Sequence, residues 1–319
     1  MTTSINRTRR GVALLFPALL LAVVLFTACK SGEKRTKKQE TFASADNAVA
    51  AMVDALATNN EDKLVAIFGP EARDAMSSGD AVADQRGRDL FLAAYKERNA
   101  LVDEDNKKTL HIGSEDWPFP IPLVKEAAGW RFDTPAGIEE LLYRRIGRNE
   151  LATVNACEAY VAAQKEYAQK GHDGKPAGIY AQKLASDPGK QNGLYWEVKS
   201  GAEESPLGEL AAEAAAEGYT RSSEKPMPFR GYYFRILTAQ GPSDQGEAKP
   251  YLINGEMRNG FALVAFPAEY GKSGVMTFIV DQSGIVHEKD MGEETSKLAG
   301  EMKSYNPDST WQQASSQKP

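Results

Sequence analysis

The chain has 319 residues, of which 42% are hydrophobic and 26% charged, enough material for two domains of ordinary size. Acids outnumber bases 44 to 38, giving a formal net charge of −6, and this counts against nonspecific nucleic-acid binding, which rests on neutralising phosphates. Two cysteines and three histidines leave little for a disulfide framework or a zinc site.

Arg7, Arg9 and Arg10 precede an apolar run from Gly11 to Ala28, and the run ends Leu25-Phe26-Thr27-Ala28-Cys29. A basic segment, an apolar segment and a small residue before a cut describe a secretory signal. The cysteine directly after the small residue is similar to a bacterial lipobox, with Phe26 where that pattern prefers leucine. The resemblance implies a lipoprotein signal peptide over residues 1–28, lipidation of Cys29, and an exported chain held on a membrane and facing the periplasm. Left uncleaved, the same eighteen residues would sit at the short end of the roughly 17–25 that cross a bilayer. Both readings give a tethered domain. Residues 29–41 read as a basic tether in which Lys30, Lys34, Arg35, Lys37 and Lys38 crowd around Glu33. With Cys29 acylated, Cys157 has no disulfide partner. Its neighbours Val154, Tyr160 and Val161 make it a small core hydrophobe on a helix.

Residues 42–135 read as an N-terminal α+β module. Ser44 is a helix N-cap before the stripe Ala48, Met52, Val53 and Leu56. Helices follow over Glu61–Phe68, closed by Gly69-Pro70, and over Ala83–Arg98, with Leu90, Phe91, Ala94 and Tyr95 on one face. The pattern then switches to strands at Thr109–Ile112, Trp117–Val124 and Trp130–Asp133. Helices followed by a curved sheet ending in a GWRFDT strand are similar to the cone of nuclear-transport-factor-2-like domains.

Pro135 and Gly137 mark a break, and residues 136–305 read as a second module. Its long helix runs from Ile138 to about Lys170, with Ile138, Leu142, Ile146, Val154, Cys157 and Val161 on one face. Shorter helices are expected over Ile179–Leu184, Pro206–Glu217 and Glu293–Met302. Strands are expected over Gly231–Thr238, Gly260–Phe266, Val275–Asp281 and Ile285–Glu288. A long helix on an antiparallel sheet resembles the globular part of pilins, although the helix here is internal and amphipathic. Residues 306–319 are expected to form a loose tail.

Five stretches together are similar to one bacterial family, domain of unknown function 2950, whose members are predicted envelope lipoproteins. They are DWPFPIP (Asp116–Pro122), RRIGRNEL (Arg144–Leu151), GLYW (Gly193–Trp196), SPLG (Ser205–Gly208) and PAEYGKSGVMTFIV (Pro267–Val280). The resemblance covers nearly the whole mature chain and implies no activity, substrate or catalytic residue.

The proline-rich stretch Trp117–Pro122 reads as an edge strand, because three prolines on one side cannot donate to a ladder. The competing reading is a polyproline II ligand for an aromatic groove. Arg144, Arg145 and Arg148 form a basic turn that offers an anion site. Glu140, four residues before Arg144, instead suggests an ion-paired, solvated face. Trp117, Phe119 and Tyr232 are candidates for a ligand groove. Lys272-Ser273-Gly274 and Ser222-x-x-Lys225 match two motifs of penicillin-interacting serine enzymes in form, without the intervening Ser-x-Asn or a helix after Ser222. Asp173-Gly174 reads as a turn rather than a calcium loop, because Lys175 and Pro176 stand where acids belong.

These readings combine into an α+β envelope lipoprotein that binds or assembles rather than catalyses, with no cofactor, metal or nucleic acid. Its expected partners are the membrane, through Cys29, and an envelope protein or glycan. The competing function is a hydrolase acting on envelope polymers, which a pocket gathering two carboxylates, or Ser273 beside a base, would favour.

Overall fold

The Ser44 hydroxyl accepts a hydrogen bond from the Asn47 N–H at 3.1 Å, and this cap starts α1, Ala45–Ala57. The computed structural model describes residues 39–198, 204–220, 227–242 and 247–315. The signal segment, Cys29, most of the tether and the Ser222–Lys225 pair lie outside the described residues. Asn60 caps α2, Glu61–Phe68, and a 3-10 turn at Pro70–Ala72 leads through α3, Arg73–Met76. Asp80 then caps α4, Ala81–Glu97, by accepting from the Val82 and Ala83 N–H groups.

Five strands follow: β1 Asn99–Glu104, β2 Lys107–Ile112, β3 Trp117–Pro118, β4 Leu123–Glu126 and β5 Gly129–Phe132. They form an antiparallel sheet in the order β1-β2-β4-β5, with β3 pairing the far end of β2. The single strand expected over Trp117–Val124 is interrupted. His111 lies opposite Pro118 and Lys108 opposite Leu123, so two extra residues bulge from the proline side between these pairings. Pro120 and Pro122 have no N–H to give a ladder, and the bulge places them where none is needed. The free edge of β3 is not left open. Arg144 Nη1 donates to the Pro118 carbonyl at 3.2 Å, and the start of the next helix rests directly on Pro120. A Cβ on Gly137 would stand 2.1 Å from the Pro120 oxygen, so that contact requires glycine. At the other end of the sheet, Phe42 and Trp130 exchange two backbone hydrogen bonds of 2.8 Å, which fastens the segment before α1 onto β5.

The following helix, α5, spans Thr134–Tyr167, about 50 Å of rise. The expected break at Pro135 and Gly137 therefore falls inside its first turn, where a proline loses no intrahelical bond. Its N-terminal part packs on the first core through Ile138, whereas Val154, Cys157, Tyr160 and Val161 are buried in a second core. Beyond it, Ile179–Leu184 is irregular rather than helical, with an isolated bridge at Tyr180. The Gln164 amide bonds both the N–H and C=O of Ala181, and Tyr180 bridges to Met257, so the backbone finds partners without a helix.

The C-terminal elements are α6 Gly208–Ala216, β6 Tyr232–Leu237, β7 Ala239–Gln240, β8 Lys249–Pro250, β9 Leu252–Ile253, β10 Glu256–Met257, β11 Ala262–Pro267, β12 Met276–Asp281, β13 His287–Asp290, α7 Thr295–Glu301, β14 Ser304–Tyr305 and β15 Gln312–Gln313. An antiparallel sheet in the order β15-β13-β12-β11-β6 carries α5 on one face. All six residues of β11 are buried. The tail expected to be loose is tied down as far as it is described: β15 pairs with β13, and Ala314 is buried with its N–H on the Val286 carbonyl. The architecture is α+β, with two hydrophobic cores sharing one helix.

Candidate functional site

The two cores differ in how completely they are filled. The first contains a cavity of about 400 Å³, between α4 and α5 on one side and the sheet with α1–α3 on the other. Its origin is visible in α4. The stripe that this helix brings to the cavity includes Ala83, Gly87, Leu90, Phe91 and Ala94, of which Gly87 and Leu90 are exposed, and no residue of α4 is buried. A Cβ placed on Gly87 would have no atom within 4 Å. Small residues on the covering helix stand over an apolar floor of buried side chains: Met52, Leu64, Phe68, Ile112, Phe119 and Ile121. Phe91 and Phe119 meet edge to face at 5.6 Å across it.

Residues 138, 141, 145 and 148 recur at spacings of three and four, so Ile138, Leu141, Arg145 and Arg148 bring one face of α5 to the cavity. Arg144 joins them, and Arg88 stands opposite on α4. Four arginines thus line the same space as two acids, Asp84 and Glu61, in a chain whose net charge is negative. Their states differ. Arg144 is engaged: Nε lies 2.6 Å from Glu140, and its guanidinium stacks 4.9 Å from the Trp117 ring. Arg145 donates through Nη2 to the Ala75 carbonyl, while its Nη1 is buried without a partner. Burial pushes the Arg145 guanidinium below its usual range, the Asp84 charge opposes that shift, and the Arg148 charge adds to it. Arg88 bonds Gln85 at 2.9 Å through Nη2 and leaves a buried Nε unpaired. Arg148 is exposed, with no hydrogen bond or ion pair among the described residues.

Five candidates from the sequence therefore share one cavity: Arg144, Arg145, Arg148, Trp117 and Phe119. Tyr232 is not among them. It is fully buried in the second core, its hydroxyl donating to the Met276 carbonyl at 3.0 Å. A ring at the start of a strand reads equally as groove or core, and here a Cβ on Gly274 would fall 2.0 Å from its oxygen, which leaves no room for a ligand. Arg88, Gly87 and Leu90 are the contributors that motif reading misses. The signal available for them is a glycine in the middle of an amphipathic helix, which costs about 1 kcal/mol relative to alanine.

The serine-enzyme motif has a structural role. Ser273 is buried; its hydroxyl accepts from the Glu269 N–H at 3.0 Å and lies 3.1 Å from the Glu269 carbonyl, closing a turn. Asn149 Nδ2 donates to the Ser273 carbonyl, and Glu150 accepts from the Val275 and Met276 N–H groups at 2.9 Å each, which joins the turn to α5. Asp116 lies 3.3 Å from Arg98 and 3.1 Å from His111 Nδ1. The Asp173 carboxylate accepts from the Gln191 N–H, holding the turn that the sequence suggests. Among the described residues no cluster of His, Cys, Asp or Glu has the geometry to hold a metal, and no helix is long and apolar enough to cross a membrane. Cys157 is buried, and desolvation pushes its thiol up to about 12.

A family model described as "Protein of unknown function (DUF2950)" matches residues 39–314. The chain belongs to this family. No curated protein and no solved structure matches it. The DUF2950 match takes in both cores, all of α5 and the cavity.

Proposed function

We propose that this DUF2950 protein is an exported lipoprotein, anchored through Cys29 on a membrane facing the periplasm, that binds a small apolar molecule in its N-terminal half. The cavity under α4 carries the proposal. Its volume of about 400 Å³ lies within the roughly 300–1,000 Å³ of small-molecule sites, and its lining is apolar with a few charged groups. The first core is read as a cone of the nuclear-transport-factor-2-like kind, a shape suited to an internal ligand. The second is read as a pilin-like helix on a sheet, serving as support and as a surface toward an envelope protein or glycan. The anchor rests on the lipobox-like segment and the basic residues after it, each of which would add about 1 kcal/mol of attraction to an anionic membrane.

The test is to purify the membrane-bound protein, extract it with organic solvent and identify what is released by mass spectrometry. A single-chain apolar molecule in stoichiometric amount, reduced in a Gly87→Leu variant that adds bulk to the cavity wall, is the expected result. An empty protein that also takes up no hydrophobic probe would defeat the binding reading. Metabolic labelling with a fatty-acid analogue tests the anchor independently, since Cys29→Ala should abolish incorporation.

A further inference from the structure

The arginines identify the polar end of the ligand, an inference that rests on the cavity being a binding site. We propose that Arg145 and Arg148, assisted by Arg88, receive the acidic head group of a single-chain amphiphile whose tail lies among Met52, Phe68, Phe91 and Phe119. Three observations converge on it. Arg144 is already neutralised by Glu140 and covered by Trp117, so it frames the site without being available to a ligand. Arg145 and Arg88 each keep a buried N–H without a partner, and a buried unpaired donor on a cation is costly unless something accepts from it. Arg145 and Arg148 repel one another, and burial already disfavours the Arg145 charge. An anion between them relieves both penalties, and a planar guanidinium suits a carboxylate or phosphate monoester.

The rest of the lining narrows the class. Beyond the four arginines, Asp84 and Glu61 are the charged lining residues, and Asp84 is held by the Ser78 N–H at 3.0 Å. A sugar would meet few hydrogen-bonding partners on such walls, and a cation would meet the wrong charge. One chain ending in an acid satisfies the apolar floor and the basic rim together.

The experiment titrates the full chain with dodecanoate, dodecyl phosphate, dodecanol and inorganic phosphate, following tryptophan fluorescence and the heat of binding. At least one acid should bind about tenfold or more tightly than dodecanol, the advantage of one charge-assisted contact. Arg145→Gln and Arg148→Gln should each remove most of that advantage, weakening the acids more than dodecanol. The exposed position of Arg148 makes its variant the safeguard if Arg145→Gln folds poorly. Dodecanol binding as tightly as both acids, or acids indifferent to both variants, would overturn the head-group assignment while the cavity reading survives. Inorganic phosphate binding as tightly as the amphiphiles would make the arginines a free-anion site and overturn the proposal. No binding of any chain-bearing probe would overturn the proposal and the cavity reading together.

Discussion

The two cores are built alike, helices against an antiparallel sheet, and filled differently. In the second core the strand β11, between β12 and β6, is buried along its whole length, and Tyr160, Tyr232, Tyr251, Phe261 and Phe278 fill the space around it. In the first, the covering helix α4 has an Ala83–Gly87 stripe and no buried residue, and a cavity lies beneath it. Close packing is the ordinary state of a protein interior, so a gap of this size under a weakly attached helix is a feature of that half rather than of the fold type. One half supplies stability. The other has room for a guest.

This contrast can be broken most decisively by truncation. Tyr232→Ala should cost about 3–5 kcal/mol in chemical denaturation, because the surrounding core cannot collapse into the space. Leu90→Ala should cost under about 1 kcal/mol, since Leu90 is 59% exposed at the cavity. Equal losses at the two positions would remove the distinction. Next in size is Asp80, which couples the halves: one carboxylate oxygen caps α4, and the other accepts from the Tyr219 hydroxyl and the Gly231 N–H at 2.8 Å each. Asp80→Ala removes a cap and strands two donors, for a loss of about 2–4 kcal/mol.

Smaller, and opposite in sign, is Gly87→Leu. It replaces a mid-helix glycine and fills empty space, so stability should rise by about 1 kcal/mol while uptake of a hydrophobic probe is reduced. A destabilised variant would mean that the space under α4 is smaller than described. The smallest effect is electrostatic. Burial, then the Glu150 charge, raises the Glu288 carboxyl above its ordinary value, so the folded state holds this proton more tightly than the unfolded chain. Stability from this group is therefore full below the ordinary carboxyl value and is lost as pH rises through the raised one. Glu288→Gln should stabilise the protein modestly near neutral pH and show no advantage below about pH 4. An advantage that grew on acidification would contradict the assignment.

The features legible in the sequence are those fixed locally. The Ser44 cap, the α2 boundaries and the hydrophobic strands β6, β11 and β12 follow from side chains within a few residues of each other. The proline segment shows what is not local. Its residues announce an interrupted ladder, but the bulge depends on the register against β2 and the sealed edge on Gly137 of a later helix. The β9–β10 hairpin escapes a reading by alternation because its strands are two residues long, although Asn254-Gly255, both with positive φ, is a strong two-residue turn signal. The candidate site behaves in the same way. The arginine turn and the aromatic-proline stretch stand out singly. Their meeting in one cavity depends on the chain folding back across a separation of 26 residues and on a glycine of α4, which neither motif contains.

Hydrogen–deuterium exchange of the full chain, with and without dodecanoate, tests the central claim most directly. Amides of α4 should exchange well before those of β11 and β12 in the free protein, because a helix without buried residues opens at small cost. Dodecanoate should slow α4 and the first turns of α5 while leaving β11 and β12 unchanged. An α4 as slow as β11 in the free protein, and unmoved by the ligand, would contradict the account.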